Sequence, residues 1–262
     1  MKCAVLISLF NAEQTLDKTF ESLSAQTFQD FRIIAVNDAS SDNTGARLTH
    51  WQSRFGESRF TIIKNQTNLG LTQSLNAGLA VISEPYTARI DADDWWHPEK
   101  LQKQLEYFDS HPGCGIIGSW YENISSHGSK RLSLPETDTE IRQSIFKRNP
   151  FAHSCVLFRT DIVKHLGGYD ETIRYGQDYD LWLRLLPETV FANVPEILCF
   201  RMTEGTLTAR RQREQMLQCV KTQFKYLKHY QRPFTEYRFI LEPLAVALAP
   251  DWLRHLKRKY LG

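Results

Sequence analysis

The chain has 262 residues, 42% apolar, 12% aromatic and 24% charged, enough for a real core and unlike collagen-like, low-complexity or disordered chains. No apolar run approaches the ~20 residues that span a bilayer, no secretory leader is read at its start, and five unpatterned cysteines read as reduced cytosolic thiols. The net charge of +2 is uneven: residues 209–262 hold 12 Lys+Arg against 4 Asp+Glu, or +8, which leaves −6 on the first 208.

Cys3–Phe10 is an apolar run of strand length, and Ala12–Gln26 spaces Leu16, Phe20 and Leu23 as a helix does. Arg32–Val36 reads as a second strand, ending in the turn-rich Asn37-Asp38-Ala39-Ser40-Ser41-Asp42. A helix follows, with Ser41 or Asp42 as its N-cap. Phe60–Lys64 and Tyr86–Ile90 are further strands, Thr72–Ile82 is helical, and His97-Pro98-Glu99 opens a helix to Phe108. Beyond residue 110 the pattern is mixed. Gly115–Ile124, Ala152–Arg159 and Glu196–Met202 look like strands, and Thr137–Lys147, Tyr179–Leu186 and Ala209–Tyr230 like helices. Gln231-Arg232-Pro233 breaks the last of these. The alternation predicts an α/β fold, a mostly parallel sheet with helices on both faces. Residues 1–208 are expected to form that domain, and 209–262 a basic helical extension.

Folds of this kind bind ligands beyond the carboxyl ends of their strands. Asn11, Asp38, Asn68, Gly70 and the run Asp91 to Asp94 stand at those ends, and none of these places carries a glycine-rich phosphate loop. Asp91, Asp93 and Asp94 repel one another unless a cation sits among them, and a hard divalent ion with oxygen ligands is the usual solution. The plain alternative is a solvated acidic turn ahead of the helix. Asp178 and Asp180 open an amphipathic helix, where a carboxylate is either a cap or a base poised to take a proton from an acceptor hydroxyl. Asp38 either hydrogen-bonds a nucleobase or organises its own turn. His153 reads as a structural histidine. Trp95, Trp96 and Trp182 read as core residues first and as sugar platforms second.

In order along the chain, VLISLFNAEQTLDKTFESLSAQTFQDFRIIAVNDASSDNT, NLGLTQSLNAGL, RIDADDWWHPEKL, FAHSCVLFR, LGGYDE, the segment holding Asp178, and FRMTEGTLT resemble family 2 glycosyltransferases of the bacterial cell-surface polysaccharide type. The resemblance spans about residues 2–208. It implies the GT-A (Rossmann-like) fold and an inverting transfer of a hexosyl or N-acetylhexosaminyl group from a nucleotide-sugar, UDP-linked by preference, to a glycan or lipid-linked acceptor. By position it implies Asp38 on the uracil, Asp91 on the nucleoside, Asp93 on Mn²⁺ or Mg²⁺, and Asp178 as general base. The family usually has Glu-Asp where this chain has Gln177-Asp178, and many relatives carry His where this chain has Thr203. A binding or scaffold protein of the same fold, without turnover, is the alternative.

A nucleotidyltransferase and a nicotinamide dehydrogenase are disfavoured, because SLFNAEQ stands where a phosphate loop would be. The tail segments RRQREQ (210–215) and RHLKRK (254–259) suit either a solvated helical face or an anionic membrane surface. Packing on the domain is expected for 209–230 and a membrane surface for 251–260. The enzyme is therefore expected to be cytoplasmic and to visit the inner face of the cell membrane. No nucleic-acid partner is expected, since the body is acidic and carries no recognition module.

Overall fold

A computed structural model describes residues 1–203 and 212–249. Among these residues the strands are β1 (Cys3–Leu9), β2 (Phe31–Asn37), β3 (Phe60–Lys64), β4 (Tyr86–Arg89), β5 (Trp95–Trp96), β6 (Cys114–Ser125), β7 (Gly128–Leu132), β8 (Leu157–Arg159) and β9 (Val190–Met202). They form one sheet ordered β3-β2-β1-β4-β8-β6-β9-β5, with β7 hairpinned onto β6. β1 to β4 run parallel, β8 is antiparallel to both neighbours, and β6 and β9 are parallel to each other. The helices are α1 (Leu16–Ser24), α2 (Thr44–Phe55), α3 (Leu71–Val81), α4 (Lys100–Ser110), α5 (Asp138–Ser144), α6 (Thr160–His165), α7 (Gln177–Arg184), α8 (Gln212–His229) and α9 (Leu241–Leu248).

β1 is apolar on both faces because both are covered. Val5, Ile7 and Leu9 meet Leu16, Phe20, Leu48, Trp51 and Leu105 from α1, α2 and α4. Ala4 and Leu6, one residue out of phase, join the layer of α3, α5, α6, α7 and α8. Gly78 lets α3 lie close to the sheet: a Cβ there would stand 2.3 Å from Leu6 Cδ1 and 3.1 Å from Val36 Cγ2. Tyr226 and Leu227 of α8 are buried in this second core, so the packed face expected within 209–230 is present. The expected boundary after residue 208, and the basic segment 251–260, lie outside the described residues.

Several elements differ from the sequence reading. α1 starts at Leu16, four residues later than expected, because the preceding residues are tied to the next loop. Ala12 N donates to Thr44 Oγ1 (2.8 Å), Asn11 N to Ser40 Oγ and Glu13 N to Asp42 Oδ2. Only Leu157–Arg159 of the expected strand 152–159 pairs as a strand, and His153–Cys155 is a turn of 3₁₀ helix. β9 begins at Val190 rather than Glu196. Pro195, which has no N–H to give, sits where the pairing with β6 jumps from Val194 to Ile197, so one strand continues through a bulge. β5, directly after the acidic run, was not expected as a strand. It exists because Trp95 and Trp96 pair with Phe200 and Cys199 of β9.

Candidate active site

β1 and β2 deliver their ends side by side, since Leu9 pairs with Asn37. The chain leaves β1 through Asn11 at φ +49°, a left-handed turn that Asn tolerates. Its Oδ1 accepts from Ser41 N at 2.9 Å. Asp38, just past β2, is 2% exposed and holds the loop that follows β3. Its Oδ1 accepts from Asn65 Nδ2 (2.7 Å) and Leu69 N (2.9 Å), and its Oδ2 from Gly70 N (2.8 Å). Asn68 Nδ2 reaches the Asp38 carbonyl at 3.4 Å. Gly70 has φ +87°, a value that favours glycine. Asn11, Asp38, Asn68 and Gly70 are therefore brought to one edge, with Phe10 and Leu69 left 49% and 46% exposed beside them.

The second cluster lies at the end of β4. Carboxylate oxygens of Asp91, Asp93 and Asp94 all lie within 4.8 Å of one another. Asp91 forms an ion pair with the fully buried Arg89, and Ser154 Oγ donates to its Oδ2 at 3.1 Å. Burial alone would raise Asp91, but the Arg89 guanidinium outweighs it and brings the group down to about 2. Asp94 Oδ1 accepts from Met202 N at 3.1 Å, while its buried Oδ2 has no hydrogen-bond partner and lies 3.6 Å from Arg201 Nε. Asp93 accepts no side-chain hydrogen bond among the described residues. Burial and the Asp91 charge push Asp93 up to about 6 and Asp94 up to about 7. Three carboxylates facing two guanidiniums, Arg89 and Arg201, with one oxygen orphaned, remain short of positive charge. That donor set fits a hard divalent cation such as Mg²⁺ or Mn²⁺.

Asp178 occupies the first turn of α7, entered through Gly176 at φ +71°. Asn149 Nδ2 donates to its Oδ2 at 2.8 Å. Burial raises the affinity of Asp178 for a proton, against the pull of the Asn149 bond and the charges of Arg89 and Arg201. Those two guanidiniums also act on Asp91, so the base candidate and the acidic cluster share one electrostatic neighbourhood. The turn ahead of α7 is held from α3: Asn76 accepts from Tyr169 N and donates to Tyr169 O, each at 2.9 Å. Tyr169 OH in turn meets His153 Nε2 at 2.9 Å. Burial and Arg89 hold His153 neutral, the structural role expected of it.

A family profile decides the lineage: the one for "Glycosyl transferase family 2" matches residues 4–167. The chain belongs to that family. It is 38% identical over 200 residues to "Amylovoran biosynthesis glycosyltransferase AmsE" of Erwinia amylovora, a match covering 74% of each chain. Its fold matches S. aureus TarS 1–349 in complex with UDP, with TM-score 0.70 and 15% identity over 99% of this chain and 75% of that one. It also matches mannosyltransferase PcManGT of Pyrobaculum calidifontis in complex with GDP-Man and Mn²⁺, with TM-score 0.67 and 13% identity, covering 98% and 79%. The protein is a glycosyltransferase with the GT-A arrangement of a Rossmann-like sheet.

Within this family 2 site, several residues escape sequence reading. Arg89 was legible in principle, as a charge inside the apolar strand Thr-Ala-Arg-Ile. Ser154, Asn149 and Arg201 carried no local signal, because only the sheet order β4-β8-β6-β9, with the segment leading into β8, brings them in. Thr203 Oγ1 donates to the Ile124 carbonyl at 3.1 Å, so its hydroxyl is already engaged. Trp96 and Trp182 are core residues, while Trp95 is half-buried, stacked on Phe200 and capped by Lys18 Nζ 3.0 Å from its ring centre.

Proposed function

We propose that this glycosyltransferase moves a sugar from a UDP-sugar, with inversion, onto a glycan or lipid-linked acceptor in cell-surface polysaccharide synthesis. The observation that carries the reading is the convergence of the Asp91–Asp93–Asp94 cluster and Asp178 in one field of Arg89 and Arg201. The names of AmsE and of the UDP-bound TarS support the pathway and the donor class. The base slot lies between Phe10 and Leu69, apolar groups suited to a ring, and Asp38 Oδ2 retains a lone pair for the uracil N3–H. Asn11, Asn68 and Gly70 shape that slot, and Asp91, fixed by Arg89 and Ser154, meets the nucleoside.

Asp93, with Asp94 behind it, would hold Mn²⁺ or Mg²⁺. A bound cation supplies charge neutralisation at the diphosphate. The remaining work falls to the chain itself. Asp178 accepts the proton of the acceptor hydroxyl as its oxygen bonds to the anomeric carbon. The bond from that carbon to the diphosphate oxygen breaks, and its electron pair leaves with UDP. Burial favours this proton transfer, because it raises the basicity of Asp178. Asn149 keeps the carboxylate aimed. Arg201 adds positive charge where the leaving group develops negative charge. Gln177, in place of the usual Glu, leaves this step intact, because the proton goes to its neighbour. Among the described residues no helix is long and apolar enough to cross a membrane. We place the enzyme in the cytoplasm, at the inner face of the membrane.

A thermal-shift screen of UDP-, GDP- and dTDP-sugars, with and without Mn²⁺, tests the donor and metal together. The largest rise in melting temperature is expected for a UDP-sugar with Mn²⁺, and Asp93→Asn should remove the metal-dependent part. A preference for GDP, or a donor shift indifferent to metal in both proteins, would overturn the assignment.

A further inference from the structure

The last helix among the described residues turns leucines outward. α9 reads Leu-Glu-Pro-Leu-Ala-Val-Ala-Leu, with one charged side chain. Leu241 and Leu248 are 63% and 67% exposed, beside the exposed Glu242 and Ala245, while the buried positions are Pro243 and Ala247. A helix docked for stability in water buries leucine and shows alanine or charge to solvent. The preceding 3₁₀ segment, Phe234–Ile240, repeats the anomaly: Phe234 is 87% exposed. Its ring stacks on Tyr237 at 5.7 Å, and Tyr237 meets Phe224 of α8, itself 53% exposed, at 5.9 Å. Half of the strongly exposed large apolar residues in the described chain fall between Leu217 and Leu248, so this is a patch and not scatter.

The charge around the patch is net positive: Lys221, Lys225, Lys228, Arg232 and Arg238 stand against Glu236 and Glu242. Lys221 and Lys228 stand three residues before and four after Phe224, on the same outer face of α8, and both are exposed. No carboxylate pairs with either among the described residues. Beyond the described residues, the sequence continues the same sign with Arg254, Lys257, Arg258 and Lys259 against Asp251.

We propose that the outer face of α8 and α9, apolar at Phe224, Phe234, Leu241 and Leu248 and basic at Lys221 and Lys228, docks on an anionic phospholipid surface. The apolar groups enter the boundary between headgroups and acyl chains, and the lysines pair with the headgroups. A second copy of the chain fits less well, since a two-fold contact would set these lysines near each other. The placement rests on the reading above of an enzyme working at the membrane. It extends that reading from the terminal basic segment to a folded surface.

Flotation of the full chain with phosphatidylcholine vesicles, and with vesicles that also hold phosphatidylglycerol, tests the proposal. Two variants accompany it: Phe234→Ser/Leu241→Ser/Leu248→Ser and Lys221→Glu/Lys228→Glu. All changed positions are exposed, so circular dichroism and melting should match wild type. Wild type should float with anionic vesicles only, less so at high salt, and each variant should lose roughly tenfold or more in partitioning. Undiminished flotation of the apolar variant, or no flotation of wild type, overturns the docking face. So does a wild-type dimer, seen by light scattering, that the apolar variant dissociates without any vesicle binding. UDP-sugar hydrolysis without vesicles separates the two readings. Its survival alongside failed flotation condemns the surface alone, and its absence from wild type condemns the catalytic reading.

Discussion

Asp94 shows how single residues carry the site. It is 2% exposed, it fixes the end of β9 through Met202 N, and it is held high by burial and by Asp91. Asp93 is displaced in the same direction, to about 6. A carboxyl raised in the folded state binds more protons there than in the unfolded chain, between about pH 4 and its folded value. The stability it contributes is therefore present at low pH and is lost as pH rises through about 6 to 7. His153, held well below its ordinary value by burial, acts oppositely and favours the folded state above its unfolded pKa. The difference between wild type and Asp94→Asn isolates the carboxyl. In metal-free buffer, the melting temperature of wild type relative to Asp94→Asn should decline as pH is raised from about 4 to about 7. A difference that is flat or rising over that range would contradict the placement of Asp94. The acidic triplet was legible because three negative charges directly after an apolar strand serve no core. Its distant partners were not: the Ser154 hydroxyl and the Arg201 guanidinium lie 60 to 110 residues away in sequence.

At the scale of elements, the site depends on how closely helices approach the sheet and on how α7 is held. Asp180, two residues after Asp178, is fully buried and accepts from Tyr226 OH at 2.8 Å and Lys225 Nζ at 3.2 Å, and pairs with Arg184. The helix that presents Asp178 is thus clamped by α8, from the region expected to be an extension. α3 carries Asn76, which grips the turn before α7, and Gly78 sets its distance from β1 and β2. Gly78→Val should therefore cost about 1–3 kcal/mol by overpacking, read as a lowered melting temperature, while Ala80→Val on the exposed side of the same helix should cost much less. Equal effects would show that close approach at Gly78 does not matter. Periodicity revealed β1 to β4 and α3 to within one residue at each end, while α4 runs Lys100–Ser110, two to three residues later than expected. It failed where pairing, not local pattern, makes the element: at β5, at the half of β9 before Pro195, and at the hairpin strand β7, whose exposed Gly-Ser-Lys-Arg-Leu has no apolar alternation.

For the whole molecule, the uneven charge acquires a physical layout. The acidic body ends in a carboxylate cluster that a cation would complete, and the basic C-terminal helices bury Tyr226 and Leu227 while turning Phe234, Leu241 and Leu248 outward. Their double duty explains why the extension was only half legible: its buried stripe follows helical spacing, but its outward leucines follow no rule for a helix in water. The sheet order β1-β4-β8-β6-β9, which no local pattern encodes, is what gathers Asp91, Ser154 and Arg201 in one place. The central claim is that this assembly is catalytic through Asp178. The direct measurement is mass-spectrometric sugar transfer by wild type and Asp178→Asn, using the donor chosen by thermal shift, with donor affinity measured in parallel. The account predicts unchanged donor binding and transfer slowed at least a hundredfold; transfer at the wild-type rate would contradict it.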